Sequence, residues 1–249
     1  MSSSPGCRPA DAVALVTGAS RGVGARVAVL LGGPGRVVFV NYRNKQRRAD
    51  DVAAEVRAAG GVAHPVRADI TVPADTVSMF ESVRANAGSL DLLVLNASGG
   101  LEKDMPASYA MTLNRDAQLA VLDVALPLMP RGSRVVFVTS HMAHFHGKQP
   151  SLDVYEPVAR SKRAGEDALR ARIVDLTARG ISLVVVSGDL IEGTTTPMLM
   201  QRKVPGLIEA RRDQAGSLPT IDDFARAIVE AACDRSLATG ATVYVGTTD

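Results

Sequence analysis

The sequence predicts an α/β fold: a doubly wound, mainly parallel seven-stranded sheet with helices on both faces, in a single domain spanning residues 12–249. Three observations carry this. Short apolar, β-branched runs alternate with longer amphipathic stretches along nearly the whole chain, the alternation that builds β-α-β units and a parallel sheet. Several of these runs, such as Leu183-Val184-Val185-Val186, are continuous rather than alternating, as strands buried on both faces require. The first run passes at once into a glycine-rich turn and then a helical pattern.

Composition agrees. Hydrophobic residues make up 46% of the 249 and charged residues 22%, enough apolar material for one full core around one sheet. The net charge of +2 comes without a concentrated basic run, which argues against nucleic acid and anionic membrane surfaces as partners. No apolar run approaches the length of a membrane span. Residues 1–11 read as a polar, disordered tail. The two cysteines, Cys7 and Cys233, stand at opposite ends and form no metal-like cluster, pointing to a reducing, cytoplasmic setting. There is no repeat and no low-complexity linker.

In order, Ala12–Val16 reads as the first buried strand, Thr17 to Gly24 as the turn, and Ala25–Leu31 as a helix. Glycines here permit a tight bend and let backbone N–H groups approach a diphosphate at the positive end of the helix dipole, with Gly18, Ser20, Arg21, Gly22, Val23 and Gly24 as the contacts. Arg36–Val40 is a second strand, ending in Asn41-Tyr42-Arg43-Asn44-Lys45. An acidic residue at this point bonds a ribose 2′-hydroxyl, whereas this turn is basic, and Arg21, Arg43 and Lys45 suit a 2′-phosphate. NADP(H) is therefore the expected cofactor. Asp50–Ala59 is a helix and Val62–Arg67 a third strand; Asp69-Ile70 follows at the sheet's carboxyl edge, where an adenine ring would lie and where an aspartate is equally a helix cap.

Pro73–Ala87 is the next helix and Asp91–Leu95 the fourth strand, leading into Asn96-Ala97-Ser98-Gly99-Gly100. Ser108–Met129 reads as one long helix containing Asn114, and Arg134–Thr139 as the fifth strand. Ser140 at its end can donate a hydrogen bond to a substrate carbonyl. The loop from Ser140 to Tyr155 holds His141, His144 and His146, three of the four histidines. No carboxylate or cysteine accompanies them before Asp153, so a loop covering substrate is the reading, without a metal. Glu156–Arg179 is a helix, Ile181–Val186 the sixth strand, residues 194–216 a mobile substrate lid, Ile221–Cys233 the last helix and Ala241–Val245 the last strand.

The chemistry centres on Tyr155 and Lys162. Seven residues at about 100° each bring the two onto one helical face, roughly 10 Å apart along the axis. A lysine that close, directly or through a cofactor hydroxyl, favours the phenolate and lowers the tyrosine below its usual pKa of about 10. Pro157 belongs in a first turn, which puts Tyr155 just outside the helix start. An amphipathic helix with a boundary tyrosine would share this spacing.

Taken together, the Thr-Gly-x-x-x-Gly-x-Gly turn, Asn96-Ala97, Ser140 and the Tyr155/Lys162 pair resemble the short-chain dehydrogenase/reductase superfamily from Ala12 to Val245. The resemblance implies a Rossmann-type fold in which Asp69 bonds the adenine amino group, Asn96, Ala97 and Ser98 pass under the cofactor, Ser140 is the catalytic serine, and Ile191 and Thr194 touch the nicotinamide carboxamide. It gives Asn114 a water in a proton relay; a buried asparagine bonded to backbone is the alternative. The usual pattern is Tyr-x-x-x-Lys, but Val158 stands four before Lys162. Tyr155, with six residues intervening, is similar to the NADPH-using enoyl-acyl-carrier-protein reductases, as are Asn41-Tyr42-Arg43 and Ser187-Gly188. The implied activity is hydride transfer to an enoyl thioester or a carbonyl, with Tyr155 as acid or oxyanion stabiliser and Lys162 holding the nicotinamide ribose. The alternatives are a ketoreductase of specialised metabolism and an NADP(H)-binding sensor whose lost chemistry Val158 marks. A small-molecule or acyl-thioester substrate is expected, in a homotetramer or homodimer packed through the helices around Asn114 and Lys162.

Overall fold

Seven strands, all parallel, stand side by side in the order β3-β2-β1-β4-β5-β6-β7. The computed structural model describes residues 12–102, 105–106, 108–149 and 152–248, so the expected disordered tail lies outside them. The strands are β1 (Val13–Val16), β2 (Val37–Tyr42), β3 (Val62–Arg67), β4 (Leu92–Leu95), β5 (Arg134–Ser140), β6 (Ser182–Gly188) and β7 (Thr242–Val245). Strand order reverses between β1, which pairs with β2, and β4, which pairs with β1 on its other side. A crevice opens outside the carboxyl ends at such a reversal.

Both faces are covered, which is why the strands are short unbroken apolar runs. One face packs Phe39, Leu93, Leu95 and Val135 under α3 (Pro73–Ala87), α5 (Ala117–Ala125) and α8 (Ile173–Ala178), together with Leu169 of α7 (Glu156–Arg170). The other packs Val16, Val40, Val94 and Val184 under α1 (Gly22–Leu31), α2 (Gln46–Ala58) and α11 (Ile221–Cys233). Each wholly buried leucine, Leu93 and Leu122 among them, contributes roughly 1.5–3 kcal/mol. A third, smaller cluster around Ala143, Tyr155, Leu190, Met200 and Leu218 lies beneath the 194–216 segment.

Several boundaries differ from the sequence reading. β2 runs two residues further, through Asn41 and Tyr42, because both still pair with Val66 and Arg67 of β3. The helix expected over Ser108–Met129 is a composite: α4 (Tyr109–Met111), a π-helical turn (Thr112–Asp116), α5, and a final 3₁₀ turn at Leu126–Leu128 carrying Pro127. The π-turn puts Asn114 against α7 so tightly that a methyl group on Gly165 would overlap the Asn114 carbonyl oxygen. The helix expected over Glu156–Arg179 divides into α7 and α8. At the break Arg170 is anchored to the Gly240 carbonyl at 2.6 Å and Thr242 Oγ1 at 2.7 Å beside β7. The loop after Ser140 begins with a short helix, α6 (His141–His144), and the lid segment folds as α9 (Thr195–Lys203) and α10 (Leu207–Ala215).

Two expectations lose their premise. The apolar positions of α7, Val158, Ala159 and Leu169, are buried in the chain's own core while Arg160 and Asp167 are exposed, so its outward side is charged rather than broadly apolar. Cys233 is disulfide-bonded, so the two separated cysteines no longer argue for a reducing compartment. No helix among the described residues is long and apolar enough to cross a membrane.

Candidate active site

The crevice holds a cavity of about 750 Å³, and the candidate cofactor and catalytic residues except Asn114 line it: Gly18, Ser20, Arg21, Gly22, Val23, Gly24, Asn41, Tyr42, Arg43, Asn44, Asp69, Ile70, Asn96, Ala97, Ser98, Ser140, Tyr155, Lys162, Ile191 and Thr194, whereas His141, His144 and His146 do not. Residues from the ends of six strands, β1 to β6, thus meet in one place, as the strand order dictates.

The floor is the turn after β1. Gly18 and Gly22 take φ of 64° and 56°, the left-handed region open to glycine. A Cβ on Gly24 would stand 2.6 Å from the Gly18 carbonyl oxygen and collide with the Asn96 amide. Thr17 Oγ1 accepts from the backbone N–H of Asn96 and Ala97 at 2.9 and 3.0 Å, locking the turns after β1 and β4 together. Asn41 is also a tie: its Oδ1 accepts from Gly18 N–H at 3.1 Å and its amide donates to the Ala68 carbonyl at 3.2 Å. Gly24→Ala is expected to destabilise the protein by roughly 1–3 kcal/mol through overpacking and to weaken dinucleotide binding at least tenfold, read by thermal melts and titration; binding within twofold of normal would mean the turn does not face the ligand.

At the reacting end, the Ser140 and Tyr155 hydroxyls are hydrogen-bonded at 3.1 Å, and Ser140 Oγ also accepts from Ala143 N–H at 3.3 Å. Tyr155 is the N-cap residue of α7, as Pro157 in the first turn requires, and is only 3% exposed. Its pKa is raised, because burial disfavours the phenolate more than the Ser140 hydrogen bond favours it. The lowering expected from Lys162 is absent; burial wins. Lys162 is itself buried, and its pKa falls to about 8 through desolvation, opposed by the Glu166 carboxylate. No hydrogen bond from its ammonium is present among the described residues, so a buried cation faces the cavity with its donors unspent. Val158, in the usual tyrosine position, packs toward Gly100 and cannot donate a proton.

Asn114 takes the backbone-bonded alternative: its amide donates to the Gly99 carbonyl at 2.8 Å and Ser161 Oγ at 2.9 Å, and its Oδ1 accepts from Gly99 N–H at 3.3 Å. It holds the loop after β4 from outside the cavity. The histidines act as staples. His141 Nδ1 shares a 2.8 Å hydrogen bond with Ser187 Oγ, His144 bridges Glu166 and Tyr244 at 2.9 Å each, and His146 meets Glu156 at 2.8 Å. Burial drives the His141 pKa down to about 4. No group of three metal-ligating residues occurs among the described residues.

Sequence reasoning missed Tyr109, Met142, Pro197 and Phe224, which also line the cavity. The groups present fit a dinucleotide: a turn whose surface a Cβ would fill at Gly24, an unspent ammonium at Lys162, and a guanidinium at Arg43.

Residues 12–203 match the short chain dehydrogenase family. The chain belongs to that family. It is 33% identical over 188 residues to a 1-cyclohexenylcarbonyl-CoA reductase of Streptomyces collinus, an alignment covering 72% of this chain and 65%, just under two thirds, of that protein. It is 32% identical over 198 residues to a versicolorin reductase of Emericella nidulans, covering 77% and 74% of the two chains. Among solved structures, the angucycline C-6 ketoreductase LanV with bound NADP superposes with a TM-score of 0.78 at 28% identity, covering 95% of each chain. The family is one of dehydrogenases, and reductases are among the relatives.

Proposed function

We propose that this chain is an NADP(H)-dependent reductase of a small-molecule carbonyl. The observation that carries the reading is the 3.1 Å Ser140–Tyr155 hydroxyl pair opening on the cavity, two donors for one developing oxyanion. The reduced nicotinamide supplies the hydride when bound. As the carbonyl carbon accepts that electron pair, the π electrons move to oxygen; Ser140 bonds this oxygen and Tyr155 gives it the proton, leaving a phenolate that solvent reprotonates. Lys162, with its ammonium donors unspent, would bind the nicotinamide ribose. Arg21 and Arg43, with no acidic residue at the end of β2, favour the 2′-phosphate form, in keeping with the NADP held by LanV.

The six-residue spacing between Tyr155 and Lys162, and the Streptomyces collinus relative, favour a second reading: reduction of an enoyl thioester, with hydride to the β-carbon and the same tyrosine protonating the enolate. Purified protein given NADPH should oxidise it against a bicyclic aromatic ketone and show a lower kcat/KM against a matched enoyl thioester. The reverse preference would move the enoyl reading ahead. Turnover of neither substrate, with NADPH still bound, would favour a cofactor-binding sensor. A homodimer or homotetramer remains part of the proposal, to be read by light scattering at micromolar concentration.

A further inference from the structure

Tyr109 opens α4, is 7% exposed, and lies across the crevice from the end of β2. Arg43 Nη1 donates to the Tyr109 hydroxyl at 2.5 Å, a contact between residues 66 apart in sequence. The same Nη1 lies 4.0 Å from Asp69 Oδ2, beyond hydrogen-bond reach, and Asp69 Oδ1 is occupied by the Thr71 N–H and hydroxyl at 3.0 and 2.7 Å. Arg43 Nε and Nη2 donate to nothing among the described residues. That edge is the paired-donor side of the guanidinium, the one that matches two oxygens of a phosphate. Half of Arg43 is therefore anchored and half is presented to the cavity that both residues line.

We propose that Tyr109 is a cofactor-specificity residue: by holding Arg43 Nη1 it aims the Nε–Nη2 edge at a 2′-phosphate and keeps the guanidinium from collapsing onto Asp69. A flexible arginine side chain, 42% exposed here, otherwise loses rotamer freedom on binding, and an arginine already anchored loses less. The Asp69 carboxylate is the competing anion; closing the 4.0 Å gap would neutralise the cation that the phosphate needs. Burial raises the Tyr109 pKa, so the phenol stays neutral and does not itself repel a phosphate. The inference rests on the NADP(H) reading and adds to it the residue that sets the selectivity.

The test is Tyr109→Phe in the full chain, titrated with NADPH, NADH, 2′,5′-ADP and 5′-AMP. The phenol acts on the ligand only by aiming the arginine, so its loss should weaken NADPH and 2′,5′-ADP by roughly five- to tenfold, the worth of an ordinary hydrogen bond, with NADH and 5′-AMP nearly unchanged. Arg43→Ala sets the larger loss, and the double variant should bind 2′,5′-ADP no more weakly than Arg43→Ala alone, because the tyrosine acts only through the arginine. Equal losses for all four ligands would reduce Tyr109 to a wall of the pocket and overturn the proposal; so would tighter NADPH binding, which would make the Tyr109–Arg43 contact a latch the ligand must break. If the unmodified protein binds 2′,5′-ADP no better than 5′-AMP, the 2′-phosphate reading itself falls, an outcome distinct from a Tyr109 effect shared by all four ligands.

Discussion

Tyr155→Phe is expected to lower kcat by roughly a hundredfold or more while leaving dinucleotide affinity nearly unchanged, since general acid catalysis is typically worth that much. Phenylalanine keeps the ring that packs with Ala143, Val158, Ala159 and Leu190, so the fold should lose only the hydrogen bond to Ser140, about 1 kcal/mol. The raised pKa of Tyr155 means the phenol keeps its proton at neutral pH and is ready to give it in the reductive direction. The oxidative direction needs the phenolate and should therefore quicken as pH rises. Single-turnover rates separate this from a binding defect. Near-normal turnover in the variant would hand the acid role to Ser140, the hydroxyl bonded to Tyr155.

How much of this was legible in the sequence depends on how local the cause is. The turn from Thr17 to Gly24 could be read because backbone approach and left-handed φ leave glycine as the residue of choice at Gly18, Gly22 and Gly24. Ser140 was readable as the last residue of a buried run, and Tyr155 by counting back from Lys162. The strand alternation sufficed for the sheet, since continuous apolar runs need cover on both sides.

The rest depends on contacts that no local pattern announces. Tyr109 finds Arg43 only after the fold brings α4 over β2. The π-turn at Thr112–Asp116 leaves the apolar spacing of the long helix intact while rotating Asn114 toward Gly99 and Ser161. The three histidines read in sequence as part of a loop covering substrate because their partners, Ser187, Glu166, Tyr244 and Glu156, lie on other elements. The lid residues resisted reading because α9 and α10 are short, and α10 has no buried residue to impose a period. The Tyr155 pKa follows the same rule: spacing gives the lysine, but only the fold gives the burial, which outweighs the Ser140 hydrogen bond and raises the phenol.

Lys162→Met is expected to lower kcat/KM by roughly a hundredfold or more, through loss of charge-assisted hydrogen bonds worth about 1.5–3 kcal/mol each, and yet to leave the ligand-free protein as stable as before or more so. Lys162 is 8% exposed, has no hydrogen bond from its ammonium among the described residues, and titrates at about 8 in the folded state against 10.5 ordinarily. A basic group depressed on folding binds fewer protons folded than unfolded, so folding is penalised while the group is charged. The penalty, of the order of 2–4 kcal/mol, is full below pH 8 and fades as pH rises toward 10.5. Methionine fills the same volume without a charge, so the variant's melting temperature should match or exceed the parent's at pH 7, with the gap narrowing at alkaline pH. The same lysine should give kcat/KM an alkaline limb near pH 8 that methionine abolishes, because that profile reports groups of the free enzyme. A variant that melts earlier than the parent at pH 7 would mean that Lys162 is a structural member of the core, and the ribose-binding role would have to pass to another donor on the cavity wall.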